Sequence, residues 1–250
     1  MVLLDDEWLN YCKFDTIVVV EIPKALRQTF KRIWNKKFGI LHQWNDSNAV
    51  RKLLCNKEGG KQSIKLLTNK SYEKWDTTAL CKFTLYAKSF ATRDSKGDLK
   101  TLDELYIKPR GPNPSGQFHS SVISANGNID ETYALAIDQL RLLRNWCSHS
   151  TRAEMDKTTF DRFVKLAKDA FKALSVNTDD IDAITSGRYL LSSALKWVKS
   201  RHEGVFYRPR EKIERSGNQM TSKRRWSISK PVLLLGISNI SSIQQRRVAS

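Results

Sequence analysis

The densest run of chemically capable groups in this 250-residue chain lies at 140–150, LRLLRNWCSHS, where Arg144 and His149 stand five residues apart and Asn145 follows the arginine. Imidazole has an ordinary pKa close to neutral pH, so it can take a proton from one oxygen and hand it to another. Guanidinium carries a permanent charge in a planar fork that matches phosphate oxygens. His149 is therefore a candidate general acid or base and Arg144 a candidate phosphate clamp, with Asn145 orienting the site. Arg141 and Arg152 flank the pair as candidate phosphate-backbone contacts. A structural role fits the same residues. Arg144 can serve carboxylates or helix-end carbonyls, and His149 can satisfy a helix C-terminus, where cations are favoured.

Spacing constrains the chemistry. Five residues along a helix rotate a side chain by about 140° and raise it about 7.5 Å, so Arg144 and His149 do not share one stripe. Either the helix frays near Cys147 and His149 folds back, or a second copy completes the site.

The elements that must position these groups read as helices. Asp15-Thr16 is a candidate N-cap for a helix carrying Ile17, Val18, Val20, Leu26, Phe30, Ile33 and Trp34, with a new turn or kink at Pro23 and a stop at Gly39. Asp46 or Ser47 caps a second helix bearing Val50, Leu53 and Leu54. Glu58-Gly59-Gly60 is a turn, and Ile64, Leu66 and Leu67 form a short element. Asp76 caps a third helix whose stripe runs Leu80, Phe83, Tyr86, Ala87, Phe90. Residues 92–128 read as a long connection rich in Gly, Pro, Asp and Ser. A helix then begins near Asp130 and carries Tyr133, Ile137, Leu140 and Leu143 into Arg144. Asp156 caps the next, with Phe160, Phe163, Val164, Ala167, Phe171 and Leu174 facing inward as core. Asp179-Asp180 starts a small turn, Gly187 breaks it, and residues 186–200 read as a last helix. No segment alternates as a sustained strand. The expectation is an all-α fold with a long inter-helix loop, and a basic, disordered tail over 201–250.

Other chemistry finds little support. Cys12, Cys55, Cys81 and Cys147 are too far apart for a zinc knuckle or a redox pair, so neither a metal nor a cofactor is expected. No P-loop, G-x-S-x-G or H-E-x-x-H is present. His42 sits at a helix–loop junction and His119 has no local partner. Asp179, Asp180 and Asp182 read as a helix start rather than a cation site. The net charge is +17, of which eight charges fall in 201–250; the rest leaves the folded part basic, which suits phosphate partners. The N-terminus has too short an apolar run for a secretory leader and no stretch is long enough to span a bilayer. A cytoplasmic protein with no membrane partner is the expectation.

The run Arg144-Asn145-Trp146-Cys147-Ser148-His149 resembles the R-x(4–6)-H signature of HEPN domains, in which a polar residue often follows the arginine. The surrounding pattern is similar to the animal subgroup named for the DAZ-interacting zinc-finger protein. The matching pieces are Phe14-Asp15, Ala25-Leu26-Arg27, Phe30 through Trp34, Trp75 through Leu80, the Leu-Arg-Leu-Leu-Arg-Asn run and the helix with Phe160 and Phe163. The resemblance covers roughly residues 8–185 and implies an all-α, HEPN-type antiparallel helical bundle there and a metal-independent endoribonuclease. In that reaction a 2′-hydroxyl attacks the adjacent phosphorus, leaving a cyclic phosphate and a free 5′-hydroxyl. Arg144, Asn145 and His149 would be catalytic, and Arg141, Arg144 and Arg152 would bind RNA. It implies a homodimer whose motifs face each other across a two-fold axis. It equally allows a non-catalytic dimerisation or RNA-binding module with protein partners in a larger signalling or ubiquitin-linked assembly.

Overall fold

Apolar residues at helical spacing and side-chain caps generate most of the observed architecture. The computed structural model describes residues 6–59, 71–110, 118–150 and 153–187. Among them the fold is mostly helical, with one two-stranded hairpin. The expected short element at 64–67, the helix over most of 186–200, the tail at 201–250 and Arg152 lie outside the described residues.

The first helical stretch differs from expectation. Asp15-Thr16 is not a cap: α1 (Asp6–Thr16), a π-helical turn (Ile17–Glu21) and α2 (Ile22–Phe38) run on without a break. Thr16 has α-helical dihedrals and donates its hydroxyl to the Cys12 carbonyl at 2.8 Å. Pro23 explains the π turn. A proline has no N–H to give, and its ring collides with the carbonyl four residues back; a wider turn relieves the collision. The Ile22 N–H accordingly reaches back five residues, to Ile17. Gly39 ends α2 in a left-handed conformation, φ 68°.

Ser47 caps α3 (Asn48–Lys57), accepting from the Val50 N–H, and Asp76 caps α4 (Thr77–Leu85), accepting from Ala79 at 2.8 Å. α4 is shorter than its apolar stripe suggested. It stops at Leu85, Tyr86 is exposed, and Phe90 reaches the core from a separate 3-10 turn, Lys88–Phe90. The supposed loop at 92–128 holds ordered structure: β1 (Thr92–Arg93) pairs antiparallel with β2 (Leu99–Lys100), and a π turn (Asp103–Ile107) leads into a 3-10 turn (Lys108–Arg110).

α5 (Ile129–His149) and α6 (Lys157–Ala173) form the axis of the bundle. α5 packs on α4, α6 and the Asp103–Ile107 turn, α2 on α4, and α1 on α6. α7 (Asp179–Thr185) closes the described chain near α1. Phe14 meets Trp146 and Phe163 edge-on or tilted, while Phe30, Trp34, Trp44, Tyr72 and Trp75 interlock around the end of α2. Phe160, Phe163 and Phe171 are buried core, as expected.

The Asn128 side chain caps α5, accepting from the N–H groups of Asp130 (2.9 Å) and Glu131 (3.1 Å). Asn128→Ala removes an acceptor that nothing else replaces. It lowers the unfolding free energy by about 1 kcal/mol in urea titration, whereas Asn128→Gly costs only a few tenths.

Candidate functional site

α5 changes character along its length. From Ala134 to Leu140 every residue is buried, because the Asp103–Ile107 turn and the segment after residue 118 cover the side that α4 and α6 leave open. Beyond Leu140 that side opens. Helix geometry places Arg141 near its middle with Asn145 and Ser148, Arg144 about 60° to one side and His149 about 80° to the other. Leu142, Leu143 and Cys147 face the core instead.

Arg144 and Asn145 are half-buried, and Ser148 and His149 are exposed. The Arg144 guanidinium leans toward the middle of the strip, donating from Nη1 to Asn145 Oδ1 at 3.3 Å. The helix does not fray at Cys147: it runs through His149, and the Ser150 N–H closes the last turn onto the Trp146 carbonyl at 3.0 Å. Trp146 wedged against Phe14 and Phe163 holds that turn in place. Of the two ways to bring Arg144 and His149 together, folding back of His149 is therefore removed for this conformation.

Arg141 is engaged on its own helix. Its Nε and Nη2 both reach Asp138 Oδ1 at 2.7 Å. The other carboxylate oxygen accepts from His119 Nε2 at 2.8 Å, and the His119 backbone N–H donates to Gln139 Oε1 at 2.8 Å. His119 thus has its partners some twenty positions away in sequence. Asp138 is 3% exposed in its side chain. Burial alone would raise its pKa, but the His119 and Arg141 contacts outweigh burial and hold it below the ordinary carboxylate range. The sequence signal was an acid three positions before an arginine on a helix otherwise apolar at that level. The burial of that pair depends on a distant segment.

The neighbouring core of α5 carries one further polar contact. The Cys147 thiol lies 3.5 Å from Asp15 Oδ1. Burial, reinforced by the Asp15 charge, pushes the thiol up to about 12, so it is a poor nucleophile. Burial also raises Asp15, only partly offset by the thiol. A carboxylate whose folded pKa is raised costs stability once pH passes above its unfolded value. Asp15→Asn therefore raises Tm at neutral pH, and the gain shrinks as pH falls through the raised folded value and is gone below the ordinary carboxylate range; parallel thermal melts across pH read this directly.

Asp180 and Asp182 are engaged by Lys24 and Lys168, and no cluster of three metal-ligating side chains occurs among the described residues. His42 is exposed on a 3-10 turn. No family model, curated protein or solved structure matches this chain.

Proposed function

We propose that this chain is an RNA-directed domain of HEPN type that cuts RNA without a metal, with Arg144 as phosphate clamp, His149 as general acid or base and Asn145 orienting the scissile phosphate. The observation that carries the reading is the partly exposed polar strip on the last turns of α5. Arg144 and His149 border it, the arginine leans inward, and Asn145 and Ser148 lie between. A phosphodiester laid across such a strip meets a fixed positive charge on one side and a proton-transfer group on the other. A homodimer would bring the two edges of opposing strips together, which an unfrayed helix makes the more direct route.

The separation of Arg144 from His149 on an unbroken helix also favours a second reading, a non-catalytic RNA-binding or dimerisation module within a signalling or ubiquitin-linked assembly. Incubation of the purified chain with end-labelled RNA in EDTA separates the two. Products ending in a cyclic phosphate and a 5′-hydroxyl support the enzyme. Binding without cleavage leaves the module.

A further inference from the structure

One turn at an end of the bundle leaves large aliphatic side chains in water. Ile40–His42 form a single 3-10 turn after α2, in which Ile40 and Leu41 are 87% and 91% exposed. Gly39 swings the backbone out of α2 at φ 68°, with open space beside its α-carbon. The Trp34 indole N–H donates to the His42 carbonyl at 2.6 Å, so the turn is anchored while its two apolar side chains are not covered. Single exposed aliphatics are common on protein surfaces; an adjacent, nearly fully exposed pair on an anchored turn is a contact waiting for a partner.

The surroundings are cationic. Residues 22–45 contain no acidic side chain. Lys36 and Lys37 close α2, and Lys57 closes α3 with its ammonium 4.9 Å from the Phe38 ring centre. Among the described residues none of these three lysines lies within ion-pair distance of a carboxylate, as holds for several lysines elsewhere, and the Lys37 ammonium donates to the Ala91 carbonyl at 2.8 Å. Burial and the nearby Lys57 charge hold Lys37 below the ordinary lysine range, against a smaller pull from Asp130. Arg32, in the second half of α2, lies 5.6 Å from the Tyr133 ring centre, which sets the first turns of α5 beside this end of α2; Ile129, one turn earlier, is half-exposed.

We propose that this end of the bundle docks on the anionic surface of a lipid bilayer, with Ile40 and Leu41 entering the interfacial layer and Lys36, Lys37 and Lys57 meeting acidic headgroups. The combination of apolar insertion and lysine attraction is what peripheral binding requires. Single-stranded RNA would be met by aromatic stacking, which two saturated side chains do not offer. A tip of two residues gives a protein partner far less area than a stable complex buries. The attachment is peripheral: no helix among the described residues is long and apolar enough to cross a membrane. Arg144 lies fifteen residues along α5 from Ile129, about 22 Å, so docking leaves the Arg144 strip away from the lipid.

Flotation of the full chain with phosphatidylcholine vesicles, with and without phosphatidylserine, tests this. The expected result is binding only with phosphatidylserine, weakened by salt. Ile40→Ser/Leu41→Ser lowers the partition coefficient about tenfold or more, with an unchanged circular dichroism spectrum. The basic residues at 201–250 can also attract anionic vesicles, so a second readout is needed. An environment-sensitive dye at Leu41→Cys, in a Cys12→Ser background, shifts to the blue on phosphatidylserine vesicles, while the same dye at Lys165→Cys does not. Equal binding by the double variant, an unshifted dye at 41, or equal binding to neutral vesicles overturns the proposal. So does a double variant that loses self-association or RNA binding instead.

Discussion

Asp138→Ala lowers the unfolding free energy by about 3 kcal/mol, the low end for breaking a buried ion pair, and drops Tm by about 6–12 °C. The effect is large because one carboxylate serves two donors. Removing it leaves the Arg141 fork and the His119 ring facing each other with no carboxylate between them. Asp138→Asn costs less, since an amide oxygen still accepts one bond. The pH dependence has a definite sign. Asp138 titrates below its unfolded value, so its contribution is present above the ordinary carboxylate pKa and is lost as pH falls through its lower folded pKa. Melts of parent and Asp138→Ala therefore converge in acid. Hydrogen exchange adds a local signature: amides of 118–124 lose protection in the variant before those of α6, because Asp138 and Gln139 hold that segment to α5. Equal stability of the two proteins at neutral pH would remove the buried ion pair from the account of the fold.

What could be read from sequence follows the range of the interactions. Caps act within three residues, so Asp76 and Asp156 were legible and the cap of α3 was narrowed to Asp46 or Ser47, of which Ser47 accepts the bond. The core stripe of α6 was legible for the same reason, one face repeating along one helix. Pro23 signalled a break but not its form; relief by a π turn needs the helix on both sides to persist, which tertiary burial of Ile17, Val18 and Ile22 decides. The helical turn at 103–107 was hidden among residues that read as loop, and the helix break at Tyr86 was hidden inside an apolar stripe that continues through Phe90. At the candidate site, Arg144 and Asn145 are neighbours and their contact follows from adjacency. The continuity of the helix through His149 does not. It rests on Trp146 packing against Phe14 and Phe163 and on Cys147 against Asp15, contacts made over more than a hundred residues of chain for α1. His119–Asp138 was likewise beyond local reading, since the partners meet only after the segment near residue 118 returns to α5.

Arg144→Ala and His149→Ala each reduce metal-independent RNA cleavage by about 10²–10³-fold, the range for losing a positioned charge or a general acid–base group. Both variants keep the parent's melting behaviour. His149 is exposed, and Arg144 is half-buried and donates to its helix neighbour Asn145, so neither truncation opens the core. That separates them from Asp138→Ala, whose activity loss would track unfolding. The double variant loses little more than the worse single one, because two groups acting on one phosphate fail together. Mixing the two single variants then decides where the site is assembled. If one helix supplies both groups, every chain in the mixture is defective and activity stays at the level of the separate variants. If each site takes its arginine from one copy and its histidine from the other, half the dimers after exchange are mixed and each holds one intact pair, so about a quarter of parental activity returns. The 140° between the two side chains on an unbroken α5 predicts the second result. Cleavage unchanged in both single variants would move the chemistry elsewhere on the molecule, and recovery absent from a freely exchanging mixture would require α5 to open at its last turn when RNA binds.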